Sequence, residues 1–193
     1  MTKILTQNDI MENLDFYIDE ILSGKIFIYP TDTLYGLGTN ALNSESVKKI
    51  FEIKKRQGKS LLICAPNIEW IEKNLEVLDC HKDFIEGTLP GRFSFILNVK
   101  NKNCVAKEIL VENESLGVRI PSSWFQNLIE TAQIPFTSTS VNFSGEESAT
   151  TIDEIPESIK SQVDYIISDE NIMSKQQSTI YDLREETRKI LRK

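Results

Sequence analysis

Short apolar runs that stop at a proline or a polar loop, alternating with stretches of helical periodicity, constrain this 193-residue chain most. Residues 25–29 run into Pro30, residues 93–99 into the polar segment from Lys100, and residues 116–120 into Pro121. Proline has no amide to give a ladder, so these runs read as short strands with firm ends. Residues 60–65 read as a further strand, and residues 134–140 lead through another. Helical spacing fills the gaps. Ile10, Leu14, Ile18, Ile21 and Leu22 predict a helix over residues 6–22, opened by the capping pair Thr6 and Asp9 and ended by Gly24. Ser44 is placed to cap a helix carrying Val47, Ile50, Phe51 and Ile53; Asn67 opens one with Ile68, Ile71 and Leu75; Ser122 caps one with Trp124, Phe125, Leu128 and Ile129. Thr151 and Glu154 form a capping box before another short helix, and residues 163–167, 178–183 and 189–191 read as late strands, the last at an edge. Residues 100–115 read as an exposed, mobile loop. Strands alternating with helices and no linker between them predict a single α/β domain over residues 1–193.

Two stretches carry the chemistry. From Thr137 to Ser144, six of eight residues are Thr, Ser or Asn, a polar comb that suits a turn or a ligand better than a dry core. From Lys48 to Lys59 there are six cationic side chains against the single Glu52, in a chain of net charge −7. Hydroxyls with concentrated cations point to a bound anion, most simply a phosphate. The plainer reading is that Lys54 and Arg56 complement the negative end of a helix and are solvated. Thr31 to Gly38, rich in hydroxyls and glycine, follows a strand directly, the usual position for ligand loops in α/β proteins. Arg119 lies in an apolar strand, where an unpaired guanidinium is costly, so it requires an anionic partner, either a ligand or an internal Asp or Glu.

Several classes are set aside. Three cysteines without a C-x-x-C pair and one histidine support neither a disulfide framework nor a zinc site, which predicts a reducing, cytoplasmic home. The acidic balance argues against a whole surface that grips nucleic acid and leaves weak, local RNA contact at the basic segments as the alternative function. No apolar stretch reaches membrane-span length, and the N-terminus lacks the pattern of a signal peptide. The Walker loop, the dinucleotide-binding glycine turn and the hydrolase elbow are missing. His81, in a charged neighbourhood, reads as a surface residue rather than a general base.

Pro30-Thr-Asp-Thr-Leu-Tyr-Gly-Leu-Gly38, Lys54-x-Arg56, Leu89-Pro-Gly91, Gly117-Val-Arg-Ile-Pro121, Ser138-Thr-Ser-Val-Asn-Phe-Ser-Gly145 and Ser178-Thr179 together resemble the successive motifs of the YrdC-type threonylcarbamoyl-AMP synthases. They occur in that family's order over residues 26 to 183. The resemblance implies the family's α/β fold, an open twisted mixed sheet with flanking helices and a concave substrate cavity. It also implies formation of threonylcarbamoyl-AMP and pyrophosphate from L-threonine, bicarbonate and ATP, with Mg²⁺ carried by the phosphates. A separate threonylcarbamoyl transferase complex would then modify tRNA. By motif position, Lys54, Arg56 and Lys59 are expected at the ATP phosphates, with Lys54 and Arg56 catalytic. Ser140 and Asn142 would complete the nucleotide site, with Ser115 and Ser148 as weaker candidates. Thr31, Thr33, Arg119, Ser138 and Ser178 are expected on the threonine and carbamate side. A carbamoyl-AMP-forming relative, which takes carbamoyl phosphate, is the other alternative.

Overall fold

Alternating side chains in the central strands sort this protein into two apolar layers with a site at one end of one of them. The computed structural model describes residues 2–55, 61–110, 114–143, 149–169 and 176–193. In chain order its elements are β1 (Lys3–Thr6), α1 (Gln7–Glu12), α2 (Leu14–Leu22), β2 (Phe27–Tyr29), β3 (Gly36–Gly38), α3 (Ser44–Ile53), β4 (Leu62–Cys64), α4 (Ile68–Asn74) and β5 (Leu75–Glu76). A 3₁₀ turn (Asp79–His81) then leads to α5 (Lys82–Thr88), β6 (Phe93–Val99), β7 (Ser115–Arg119), α6 (Phe125–Ala132), β8 (Phe136–Ser140), α7 (Glu157–Lys160), β9 (Tyr165–Ser168), β10 (Thr179–Asp182) and β11 (Lys189–Arg192).

The strands form one mixed sheet in the order β1-β9-β2-β3-β8-β4-β7-β6-β10-β11, with β5 on β6. Ile28, Leu37, Ile63, Phe95, Leu97, Leu116 and Val118 point to one face, where they pack with Val47, Ile50 and Ile53 of α3, Ile71 of α4 and Ile85 of α5. Their neighbours Phe27, Tyr29, Cys64 and Phe136 point the other way, against Ile10 of α1, Tyr17 and Ile21 of α2, and Phe125, Leu128 and Ile129 of α6. This is the period-two rule of a strand applied to a sheet covered on both sides. The aromatic rings of the second layer interlock, Tyr29 stacking on Phe125 at 4.4 Å and Phe27 on Tyr165 at 4.9 Å between centroids.

Of the residues expected as a loop after β2, Gly36–Gly38 return as a strand. β3 lies antiparallel between β2 and β8. Gly38 makes this approach feasible, because a Cβ there would fall within 3.0 Å of the Thr137 carbonyl oxygen and 2.7 Å from Phe136 Cε1. Gly38→Ala is therefore expected to cost roughly 3 kcal/mol, as overpacking against backbone does. Urea denaturation measures it.

Other local expectations are corrected by tertiary context. The Thr6–Asp9 capping box forms, but the long first helix breaks at Asn13, and residues just before the box add the edge strand β1, parallel to β9. Asn43, not Ser44, caps α3, its side chain accepting from the Ser46 amide at 3.1 Å. Ser122 does not cap α6; its amide donates to Asp32 Oδ2 at 3.0 Å. The Glu154 carboxylate accepts from the Thr150 and Thr151 amides in a turn, and the helix starts only at Glu157, after Pro156. In the segment expected to be exposed, Cys104, Val105 and Ile109 are buried in the first apolar layer. His81 is wholly buried, with its Nε2 bonded to the Glu185 carbonyl at 2.8 Å, so its role is to tie the 3₁₀ turn to the C-terminal hairpin.

Candidate functional site

At one end of the second face the aromatic layer gives way to a cavity of about 280 Å³. The same alternation that buries Leu116 and Val118 turns Gly117 and Arg119 of β7 toward it. Ser138 and Ser140 of β8 line it from one side, Ser178 before β10 from the other, and the Thr31–Gly36 loop forms its rim. Among these described lining residues there are two guanidinium groups and no carboxylate, so the cavity is suited to anions.

Arg119 is only 4% exposed, and the partner required by its burial is internal. Its Nη2 pairs with Asp32 Oδ1 and lies 3.3 Å from the Gly91 carbonyl, while Nη1 donates to Thr33 Oγ1 at 3.2 Å. Asp32 is equally buried and uses its second oxygen on the Ser122 amide. Arg119 Nε has no hydrogen-bond partner among the described residues, and an orphan buried donor beside a cavity marks a place for an acceptor. Thr31 builds the rim. Its hydroxyl accepts from the Thr33 and Leu34 amides at 3.1 and 3.2 Å and meets Thr33 Oγ1 at 2.9 Å, a side-chain turn that fixes the loop carrying Asp32.

Lys54 is not solvated at the end of α3. It is 2% exposed, and its ammonium donates to the Ser140 carbonyl at 2.5 Å, to Asn142 Oδ1 at 2.7 Å and to the Asn142 carbonyl. Ser140 Oγ donates to the same Asn142 oxygen at 2.6 Å. Lys54 thus joins the cationic stretch to the polar comb and shapes the turn after β8. Lys55, at φ 48, turns the chain next to it and places its ammonium 4.6 Å over the Phe143 ring. Lys54 and Asn142 stand behind the cavity wall that Ser140 presents. Ser115 opens β7 as a buried residue, away from the cavity lining. Arg56, Lys59 and Ser148 lie outside the described residues.

Two residues of the candidate site were not singled out for it in the sequence. Asp32 stands between the two threonines that were singled out, but nothing local distinguishes it from other carboxylates as the partner of Arg119. Arg192, in edge strand β11, reaches the cavity from the chain's far end and donates to the Ser178 carbonyl at 2.8 and 3.0 Å and to Ser178 Oγ at 3.0 Å. Ser178 Oγ also meets Ser94 Oγ at 2.9 Å. Burial, and then the charge of Arg119, hold Arg192 below the usual guanidinium range.

A family model described as Telomere recombination, the Sua5/YciO/YrdC domain, matches residues 19–193. The chain belongs to the Sua5/YciO/YrdC family. It is 38% identical over 183 residues to a putative threonylcarbamoyl-AMP synthase of Methanocaldococcus jannaschii, covering 94% of this chain and 86% of that protein. Its fold matches that of P. abyssi Sua5 complexed with L-threonine, with a TM-score of 0.88 and 27% identity, over 100% of this chain and 57% of the other. The chain therefore spans little more than half the length of that Sua5. E. coli YciO, at 22% identity and a TM-score of 0.86 over 100% of this chain and 96% of its own, shares the fold. The mixed open sheet with flanking helices is thus the Sua5/YciO/YrdC architecture, and the motif resemblance read from the sequence is borne out as family membership.

Proposed function

We propose that this protein is a threonylcarbamoyl-AMP synthase, which forms threonylcarbamoyl-AMP and pyrophosphate from L-threonine, bicarbonate and ATP for the threonylcarbamoyladenosine modification of tRNA. The observation that carries this reading is the pairing, in one cavity, of a buried guanidinium holding an unpartnered donor with a serine-rich strand end stapled by Lys54. The family, the name of the M. jannaschii relative and the L-threonine complex of P. abyssi Sua5 support it.

The threonine amine attacks carbon dioxide derived from bicarbonate and loses a proton to give a carbamate. A carbamate oxygen then attacks the α-phosphorus of ATP, and the bond to the β-phosphate oxygen breaks as pyrophosphate leaves. No protein nucleophile is required; holding two anions together and balancing charge on the leaving group is the task. Arg119, with Thr33 and Ser138 beside it, receives the amino acid's carboxylate or carbamate. Arg192, Ser178 and Ser140 face the same space. Lys54 and Asn142 set the turn that presents Ser140 to the nucleotide, and Arg56 and Lys59 are assigned by motif to the phosphates. Mg²⁺ would arrive on the phosphates of ATP and neutralise triphosphate charge there. No described helix is long and apolar enough to cross a membrane. We place the protein in the cytoplasm, upstream of a threonylcarbamoyl transferase complex acting on tRNA.

The C-terminal cations weigh against the RNA-binding alternative. Arg184 pairs with Asp182 at 2.6 Å, Lys189 with Glu185 at 2.7 Å, Arg188 packs over Phe84, and Arg192 enters the cavity. The deciding experiment incubates the protein with ATP, Mg²⁺, labelled bicarbonate and L-threonine, with parallel tubes lacking threonine or containing carbamoyl phosphate instead. A labelled, threonine-dependent AMP adduct is expected. A product formed only with carbamoyl phosphate, or tRNA binding without nucleotide turnover, would replace this reading. Because a lysine cannot reproduce the several directed bonds of a guanidinium, Arg119→Lys is expected to raise the threonine requirement at least tenfold while the ATP requirement changes little. Equal effects on both substrates would place Arg119 elsewhere.

A further inference from the structure

Beneath Ser178 lies a second serine that does not itself line the cavity. Ser94, the second residue of β6, is wholly buried, and its hydroxyl meets Ser178 Oγ at 2.9 Å. It comes to this place by register. Ser94 pairs with Ile180 of the parallel strand β10, and it shares with Ile96 the face of β6 that looks toward the cavity. Among the described residues, Ser178 Oγ is the one hydrogen-bond partner of the Ser94 hydroxyl. Counting protons then fixes which oxygen donates. Arg192 Nη2 lies 3.0 Å from Ser178 Oγ, and a guanidinium nitrogen can only donate, so one lone pair of Ser178 is filled from that side. If Ser178 donated to Ser94, the Ser94 proton would be left in the interior without an acceptor, a cost that folded proteins avoid. If Ser94 donates, both lone pairs of Ser178 are filled and its own proton turns to the cavity, where ligand or solvent accepts it. Only this second arrangement satisfies both hydroxyls.

We infer that Ser94 is a positioning residue: by donating to Ser178 it makes the Ser178 hydroxyl an obligate donor toward the cavity, aimed at an oxygen of the bound anion. The inference rests on the synthase reading and adds to it a residue that acts from behind the cavity wall. A serine hydroxyl carries one proton and two lone pairs, so left alone it gives or accepts as its surroundings ask. Held between Ser94 and Arg192, Ser178 can only give. That polarity suits a reaction whose participants, a carbamate and a triphosphate, meet the protein through acceptor oxygens. The proton also points into the cavity before any charge develops there, so nothing has to reorient during the reaction. Arg119 and Arg192 bring positive charge to the space, and the Ser94–Ser178 pair adds one bond of fixed direction within it.

The test is a double-mutant cycle on threonine-dependent adenylate formation, with wild type, Ser94→Ala, Ser178→Ala, the double variant and Ser94→Thr, and a melting temperature for each. Ser178→Ala is expected to lower kcat/KM by roughly 10- to 100-fold, the worth of one hydrogen bond to a charged group. Ser94→Ala is expected to lower it by about tenfold, because the Ser178 hydroxyl loses one of the two bonds that fix its direction. Ser94→Thr keeps the donor and is expected to stay within about threefold of wild type. In the Ser178→Ala background, Ser94→Ala is expected to cost nothing further, since Ser94 acts only through that hydroxyl. The melting temperature of Ser94→Ala is expected to fall by no more than about 4 °C, as the loss of a single hydrogen bond implies. Should Ser94→Ala fail to fold, Ser94→Cys, which weakens the donor while keeping its place, takes its position in the cycle. Losses that add in the double variant overturn the proposal. So does wild-type kcat/KM in Ser94→Ala, or a Ser94→Thr as impaired as Ser94→Ala. A wild-type protein that forms no adenylate overturns the synthase reading instead. The same cycle run on ATP and L-threonine binding by calorimetry then decides the role of Ser94 by whether the two losses add.

Discussion

Lys54→Met is expected to lower threonine-dependent pyrophosphate release by about 10²-fold, the loss typical when a change behind a site misplaces its groups by about 1 Å. The ammonium bonds the carbonyls of Ser140 and Asn142 and the side chain of Asn142, so its removal takes three hydrogen bonds from the turn. The turn after β8 should then relax, and Ser140 should lose its place in the cavity wall. Each unsatisfied acceptor costs about 1–3 kcal/mol, so stability should fall along with activity. Lys54→Arg is not expected to rescue, because a planar guanidinium cannot direct three bonds from one atom. Steady-state kinetics with chemical denaturation of the same variants separates the two effects. Unchanged turnover in Lys54→Met would show that the turn is held without the lysine and that the motif's charge acts elsewhere.

Asp32→Ala is expected to destabilise the protein by about 3–5 kcal/mol, because it strands the Arg119 guanidinium, itself 4% exposed, in the protein interior. For a chain of this size that corresponds to roughly 10 °C in melting temperature. Asp32→Asn should be milder, since it keeps one acceptor for either Arg119 or the Ser122 amide. The two variants should share a second effect that a purely structural carboxylate would not produce: a threonine requirement raised more than the ATP requirement, from loss of aim in Arg119. L-Threonine added at saturating concentration should recover part of the melting temperature in Asp32→Asn, since ligand binding to the native state stabilises it. A loss of stability with unchanged threonine dependence would confine Asp32 to the fold.

Much of this protein was legible locally. Pro30 and Pro121 ended their strands, the Thr6–Asp9 pair opened its helix, and 189–191 proved to be an edge strand, because turn chemistry and side-chain periodicity act within a few residues. Where a local signal failed, a neighbour distant in sequence had overridden it. Ser122 was drawn from its expected cap by Asp32, and His81 was buried by the C-terminal hairpin. The motif residues were also readable by type: cations in 48–59, small hydroxyls in 137–144, and an arginine in an apolar strand that had to have an anionic partner. What they would touch was not. Lys54 meets Asn142 across 88 positions and Arg119 meets Asp32 across 87, distances at which no periodicity carries information.

The sequence by itself determined the central strands and most of the helices between them, the residue types of the candidate site, and the family to which the chain belongs. Only the tertiary structure decided that the buried arginine is held by Asp32, that Lys54 is a staple rather than a solvated helix end, and that Arg192 enters the site from the last strand. The physical reason is strand order. Placing β8 beside β4, β4 beside β7, and β10 and β11 beyond β6 brings residues from five separate parts of the chain onto one face, and that order is settled by which apolar surfaces cover one another, not by any residue's immediate neighbours.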